Sequence, residues 1–120
     1  MTPEIQTRRL AKIIERYRID VTTEDAAQRA IAACLVEQGC EVEREVRLTA
    51  ADRIDLMADG IGIEVKVKGR RRMTYAQVVR YLESNLVCGL ILVTAKAFPL
   101  PQRTINGKPF EVVDLSRAWL

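Results

Sequence analysis

Asp59-Gly60 stands between two apolar, strand-forming stretches, and no other feature constrains the chain as much. Asp-Gly is a preferred dipeptide for a two-residue type I′ turn, because both central residues need positive φ. With these two as the loop, residues 53–68 read as a β-hairpin in which Ala58 faces Ile61, Leu56 faces Ile63, and Asp55 faces Glu64. The two acids become direct cross-strand neighbours.

Side chains alternate along a strand, so Lys66 shares a face with Glu64 while Ile63, Val65 and Val67 point the other way, into core. Facing residues have Cβ atoms only ~4.5–5.5 Å apart, and like charges at that distance destabilise a sheet. A divalent cation would offset the repulsion. Mg²⁺ is a hard ion held by one or two carboxylates plus water and substrate phosphate, and a neighbouring lysine adds a donor for phosphate charge or a metal-bound water.

At 120 residues the chain suits one domain, read as a basic N-terminal helix over 1–20, a core over 21–95, and a C-terminal strand and tail over 96–120. Lys and Arg exceed Asp and Glu by 19 to 16, a weak argument for an anionic partner. The first residues lack the apolar run of a signal peptide, and residues 86–93 are too short to span a bilayer, so a cytoplasmic protein with no membrane partner is expected. Cys34, Cys40 and Cys88 form no CxxC pair and lie in apolar patterns, which suits reduced, buried thiols. Histidine is absent, which excludes Ser-His-Asp and Cys-His catalysis and any imidazole-bound zinc.

Ile5, Leu10, Ile13 and Ile14 among many charges predict an amphipathic helix over residues 3–17. A second helix, with Thr22 as N-cap and Asp25 at the box position, runs to about Gln38 with Ala27, Ile31, Cys34 and Leu35 inward. Glu24 extends that stripe and is expected to look toward the sheet. Residues 40–48 alternate as a strand with Val42, Val46 and Leu48 on one side. Residues 74–86 predict a third helix, and residues 89–95 a strand buried on both faces that pairs in parallel after a crossover. A last strand over 110–115 and a short helical tail through Trp119 complete the order α-α-β-β-β-α-β-β-α.

In the third helix Gln77 and Tyr81 are four residues apart and so share a face. Taken in order, the helical Glu24, Asp55 with eight residues before Glu64-Val65-Lys66, and the Gln77…Tyr81 pair resemble the PD-(D/E)xK nuclease superfamily. The resemblance runs from about Thr22 to Ala95 and is similar to VRR-NUC domains and Holliday-junction resolvases, with the QxxxY of RecB-like and lambda-exonuclease-type enzymes. Ile54 stands where many members have proline. The resemblance implies an α/β, restriction-endonuclease-like αβββαβ core, a mixed central sheet flanked by helices, with an extra N-terminal helix.

It further implies a metal-dependent DNA nuclease acting on structured or branched DNA in recombination, repair or phage replication, or else a non-catalytic nucleic-acid-binding or complex-assembly module that keeps the fold. Asp55, Glu64 and the backbone carbonyl of Val65, helped by Glu24, would hold Mg²⁺ or Mn²⁺. Lys66 would position or deprotonate the attacking water, and Gln77 and Tyr81 would touch the DNA or hold Lys66 and the scissile phosphate. Lys68, Arg70, Arg71, Arg72 and Arg80 would bind backbone phosphates. A chain this small suits a symmetric homodimer, with the N-terminal helix as a route to it.

Structural explanations run alongside. Glu24 lies in a first helical turn, where the macrodipole favours a carboxylate; Thr74-Tyr75-Ala76-Gln77 reads as a capping box; and three consecutive arginines suit a solvated loop.

Overall fold

In the computed structural model, which describes residues 1–99 and 103–117, Asp59 and Gly60 both take positive φ, +52° and +80°. The strands on either side, β2 (Arg53–Ala58) and β3 (Ile61–Lys66), pair antiparallel with Ala58 opposite Ile61 and Leu56 opposite Ile63. The turn dipeptide thus sets the register that the sequence predicts.

Before the hairpin come α1 (Pro3–Arg16), α2 (Glu24–Glu37) and β1 (Val42–Arg47); after it come α3 (Arg71–Leu82), β4 (Gly89–Thr94), β5 (Thr104–Ile105), β6 (Lys108–Asp114) and a 3-10 turn over Leu115–Arg117. The six strands form one mixed sheet in the order β1-β2-β3-β4-β6-β5. β3, β4 and β6 run parallel, and the remaining pairs are antiparallel. The expected tail at Trp119 lies outside the described residues. Among those described, no helix is long and apolar enough to cross a membrane.

The sheet divides the core in two. On one face α1 and α2 bury Leu10, Ile14, Ile31 and Leu35 against Ile61, Ile63, Val65, Ile91 and Val93. On the other, α3 buries Val78, Tyr81 and Leu82 against Leu90, Leu92 and Phe110. Alternation along β3 and β4 supplies the opposed sets, each fully buried aliphatic side chain contributing ~1.5–3 kcal/mol. Of the apolar stripe predicted for α1, Leu10, Ile13 and Ile14 are buried inside the fold and Ile5 is exposed.

Several boundaries differ from the sequence reading. Thr23, not Thr22, caps α2, its hydroxyl accepting from the Ala26 N–H. Asp20 Oδ1 already accepts from both the backbone N–H and the hydroxyl of Thr22, which occupies that residue in a turn. Val42 packs with the α1/α2 core, whereas Val46 and Leu48 pack with the α3 core. Glu45 between them has φ +53°, and a left-handed residue inside a strand breaks the two-residue alternation. Cys88 is exposed, because it sits in the turn ahead of β4 with its N–H on the Gly60 carbonyl. Cys34 and Cys40 are buried, and burial pushes the Cys34 thiol up to about 11. The short β5 was not expected; Asn106 and Gly107, both at positive φ, turn it back onto β6.

At the start of β4 the packing leaves no room for a side chain. A Cβ on Gly89 would lie 2.4 Å from Thr7 Oγ1 and 2.9 Å from the Pro109 ring. Gly89→Ala is therefore expected to destabilise the fold by ~1–3 kcal/mol in urea unfolding, as overpacking does; an unchanged midpoint would refute this close approach.

Candidate functional site

The β2/β3 ladder stops one residue short of the two acids. Beyond the Leu56–Ile63 pair, side chains replace backbone partners: the Val65 N–H donates to Asp55 Oδ2 at 2.8 Å, and the Asp55 N–H donates to Glu64 Oε1 at 3.2 Å. Asp55 and Glu64 are thus neighbours, as the register predicts, each holding the other's strand. β1 is irregular at the same level, since its pairing to β2 puts the left-handed Glu45 beside Asp55.

Glu64 is only 2% exposed, on the sheet face covered by α3, and its Oε2 lies 3.3 Å from Lys66 Nζ. Burial, and then the Asp55 charge, raise the Glu64 carboxyl well above its ordinary 4.5. Burial also raises Asp55, against the opposing effects of the Val65 N–H and Lys66. Two carboxyls sharing one half-dry site cannot both ionise freely, and a single ammonium compensates only partly.

Tyr81 is buried, and its hydroxyl accepts from Gln77 Nε2 at 2.7 Å while donating to the Arg53 carbonyl at 3.1 Å. Burial, then the Glu64 and Asp55 charges, raise its pKa and keep the phenol neutral. Tyr81 therefore ties Gln77 to β2 two residues ahead of Asp55. The capping-box reading of Gln77 does not hold, because α3 begins at Arg71 and Thr74 already lies inside it.

Glu24 opens α2 half-exposed, near enough for its charge to raise the Asp55 carboxyl slightly. Among the described residues no three His, Cys, Asp or Glu side chains gather into a metal-holding group. The structure thus brings Asp55, Glu64 and Lys66 together and leaves Glu24 outside. The donor set that remains is two carboxylates with the Val65 carbonyl on the same strand. Hard oxygen ligands of that number suit Mg²⁺ or Mn²⁺, which complete their shell with water and phosphate.

Lys68 and Arg70 lie exposed in the β3–α3 loop, whereas Arg71 and Arg72 form the first turn of α3 rather than a loop. Arg80 is held by Asp52, its guanidinium 3.2 Å from Oδ1, so it is engaged in tying α3 to the entry of β2. The sequence reading missed Asp52, because 28 residues separate the partners and no local pattern joins them. It also missed Thr94 and Lys96, which the parallel register of Lys66 opposite Thr94 brings beside the site. Strand ends in a parallel sheet were the available signal.

Two outcomes are expected. A carboxyl whose folded pKa is raised adds stability that is complete below its unfolded pKa and is lost as pH rises toward the folded one. Apo stability should therefore fall from pH 4.5 upward through neutrality, and Glu64→Gln should flatten that slope in urea unfolding at several pH values. A wild-type curve that rises over this range would show that the pair is not strained. Tyr81→Phe, which strands the Gln77 amide and the Arg53 carbonyl, should cost ~1–3 kcal/mol in the same assay.

No protein-family model, no curated protein and no solved structure matches this chain. The chemistry of the site is therefore read from its own residues.

Proposed function

We propose that this protein is a metal-dependent nuclease of the PD-(D/E)xK type that hydrolyses DNA phosphodiesters, with the sheet and α2, α3 as its restriction-endonuclease-like core. One observation carries the reading: a buried Glu64, ion-paired to Lys66, sits against an Asp55 whose carboxylate is pinned by the Val65 N–H. Acid placed beside acid in a sheet is costly unless a cation joins them.

Asp55 and Glu64 would hold Mg²⁺ or Mn²⁺ with the Val65 carbonyl, Glu24 acting at longer range. When bound, such an ion neutralises phosphate charge and activates water at neutral pH. Lys66, anchored on Glu64 and partly exposed, keeps donors to orient the attacking water or to meet charge growing on the phosphate. Tyr81 is a positioning residue: it fixes Gln77, which retains a further donor and an acceptor for the strand. Lys68, Arg70, Arg71 and Arg72 grip backbone phosphates beside the cut. Structured or branched DNA, in recombination, repair or phage replication, is the substrate class this reading carries.

The lack of a third clustered acid among the described residues favours one alternative, a nucleic-acid-binding module that keeps the fold without catalysis. End-labelled linear, flap and four-way-junction DNA, incubated with wild type or Lys66→Ala in Mg²⁺, Mn²⁺ or EDTA, separates the two. Metal-dependent cutting that drops at least ~100-fold in the variant is expected. No cutting of any substrate, with salt-sensitive binding intact, would favour the module. Mg²⁺ at ~100 times its dissociation constant should also stabilise the wild type by ~2.7 kcal/mol, an effect that Asp55→Asn abolishes; an equal shift in the variant would place the ion elsewhere.

A further inference from the structure

Past its first residues, β6 has an open edge. β5 pairs only with the start of β6, Ile105 opposite Lys108 and Thr104 opposite Pro109, and the Phe110 N–H still reaches the Arg103 carbonyl at 2.8 Å. Successive peptide groups of a strand point to opposite edges, so those of Val112, like those of Phe110, face away from β4, and no strand meets Val112 there among the described residues. Continuing the ladder would set Pro101 opposite Val112, and proline has no N–H to give the Val112 carbonyl. Sheet edges are usually covered or blunted by lysine or proline, yet Lys108 and Pro109 sit where β5 already pairs. Val112 thus offers a donor and an acceptor to an added strand.

A groove of about 990 Å³ lies beside that edge, between α1 and the outer strands. At ~30 Å³ per water it holds roughly thirty, room for several side chains rather than one ion. Arg8, Arg9, Lys12, Arg16 and Arg103 line it against two acids, Glu4 and Glu111. Arg8 is taken by Glu111 at 2.6 Å, whereas the other four cations are exposed and have no carboxylate within ion-pair distance among the described residues. Arg9, Lys12 and Arg16 recur at helical spacing and so form one row of positive charge on α1. The exposed Ile5, with Phe110 and Val112, gives the groove an apolar part.

Charge and backbone chemistry select the occupant. A second copy joined β6 to β6 would set two basic rows face to face, a cost in a chain whose net charge is already +3. A nucleic acid would answer the cations but not the Val112 donor and acceptor, and its phosphates would meet Glu4, Glu111 and the edge carbonyl. A peptide brings N–H and C=O groups of its own to the edge, and its side chains alternate between the α1 side and the α3 side. We propose that β6 accepts an extended acidic segment of a partner protein as an added strand, with carboxylates at alternate residues pairing with Arg9, Lys12 and Arg16 and β-branched residues between them packing beside Val112. β6 is two strands away from β3, and the groove lies on the α1 side whereas Glu64 faces α3, so this docking site does not rest on the nuclease reading.

The test measures binding to the whole chain, by anisotropy at fixed ionic strength in EDTA, of a short fluorescent peptide of alternating Glu and Val. Its comparisons are the same peptide with Gln for Glu, the same peptide N-methylated along its backbone, and single-stranded DNA of equal charge. The acidic peptide should bind at least ~10-fold tighter than the Gln or the N-methylated form, since the first lacks the charge-assisted contacts and the second the strand pairing. Hydrogen exchange of the Val112 amide should slow when it binds. Lys12→Glu combined with Arg16→Glu should erase the preference for Glu over Gln, and Val112→Pro, which removes the outward N–H, should weaken the acidic peptide toward its N-methylated form. Equal binding of the methylated and unmethylated peptides overturns the proposal, as does binding of none of them. DNA that displaces the peptide and loses affinity in the charge-reversed variant, with methylation making no difference, would make the groove a nucleic-acid surface instead. Melting curves check that the variants fold, and if Val112→Pro does not, the methylation comparison on the wild type decides.

Discussion

The hydrogen bond from the Val65 N–H to the Asp55 carboxylate is the contact on which the centre of this protein depends. It closes the β2/β3 ladder with a side chain at the level where backbone pairing ends. Glu64 reciprocates by accepting the Asp55 N–H, so two charged residues do what peptide groups usually do. Buried backbone donors need partners, and here both are carboxyl oxygens. The strain of holding two acids together is built into the sheet itself, where neither can swing away without unpairing a strand.

Around that contact the layers act as supports. The α1/α2 core holds the far side of β3 through Ile61, Ile63 and Val65, which directs Glu64 and Lys66 to the α3 side. α3 covers Glu64 and is tethered twice at the start of β2, through the Tyr81 hydroxyl on the Arg53 carbonyl and through Arg80 on Asp52 just ahead of the strand. Both tethers land within three residues of Asp55. The low local polarity that raises the carboxyls and the rigidity that keeps them adjacent therefore have the same source, the packing of one helix on one sheet face.

Much of this was legible in the chain. Asp59-Gly60 predicts the turn, the register and the adjacency of Asp55 to Glu64, and all of these appear. Residues 89–95 predict a strand buried on both faces and parallel to β3, as β4 is. Other features lay in plain view and were passed over: Asn106-Gly107 is also a preferred I′ dipeptide, and it makes the β5/β6 hairpin. The left-handed Glu45 has no such signal. Glutamate does not favour that conformation, so the face change along β1 follows from the neighbouring strand and not from residues 42–48 themselves.

The amino-acid order by itself determined what short-range geometry can determine: the turn residues, the alternation that separates Ile63 and Val65 from Glu64 and Lys66, and the four-residue spacing of Gln77 and Tyr81. Those patterns repeat within a few residues, where backbone sterics act directly. Tertiary structure alone decided that Glu64 is buried, that Glu24 stays outside the acidic pair, that Arg80 belongs to Asp52, and that Lys66 meets Thr74 and Lys96 around one recess. Burial and charge pairing are properties of surfaces brought together from distant parts of the chain, and the parallel pairing of β3 with β4 that joins them has no local signature in the loops between.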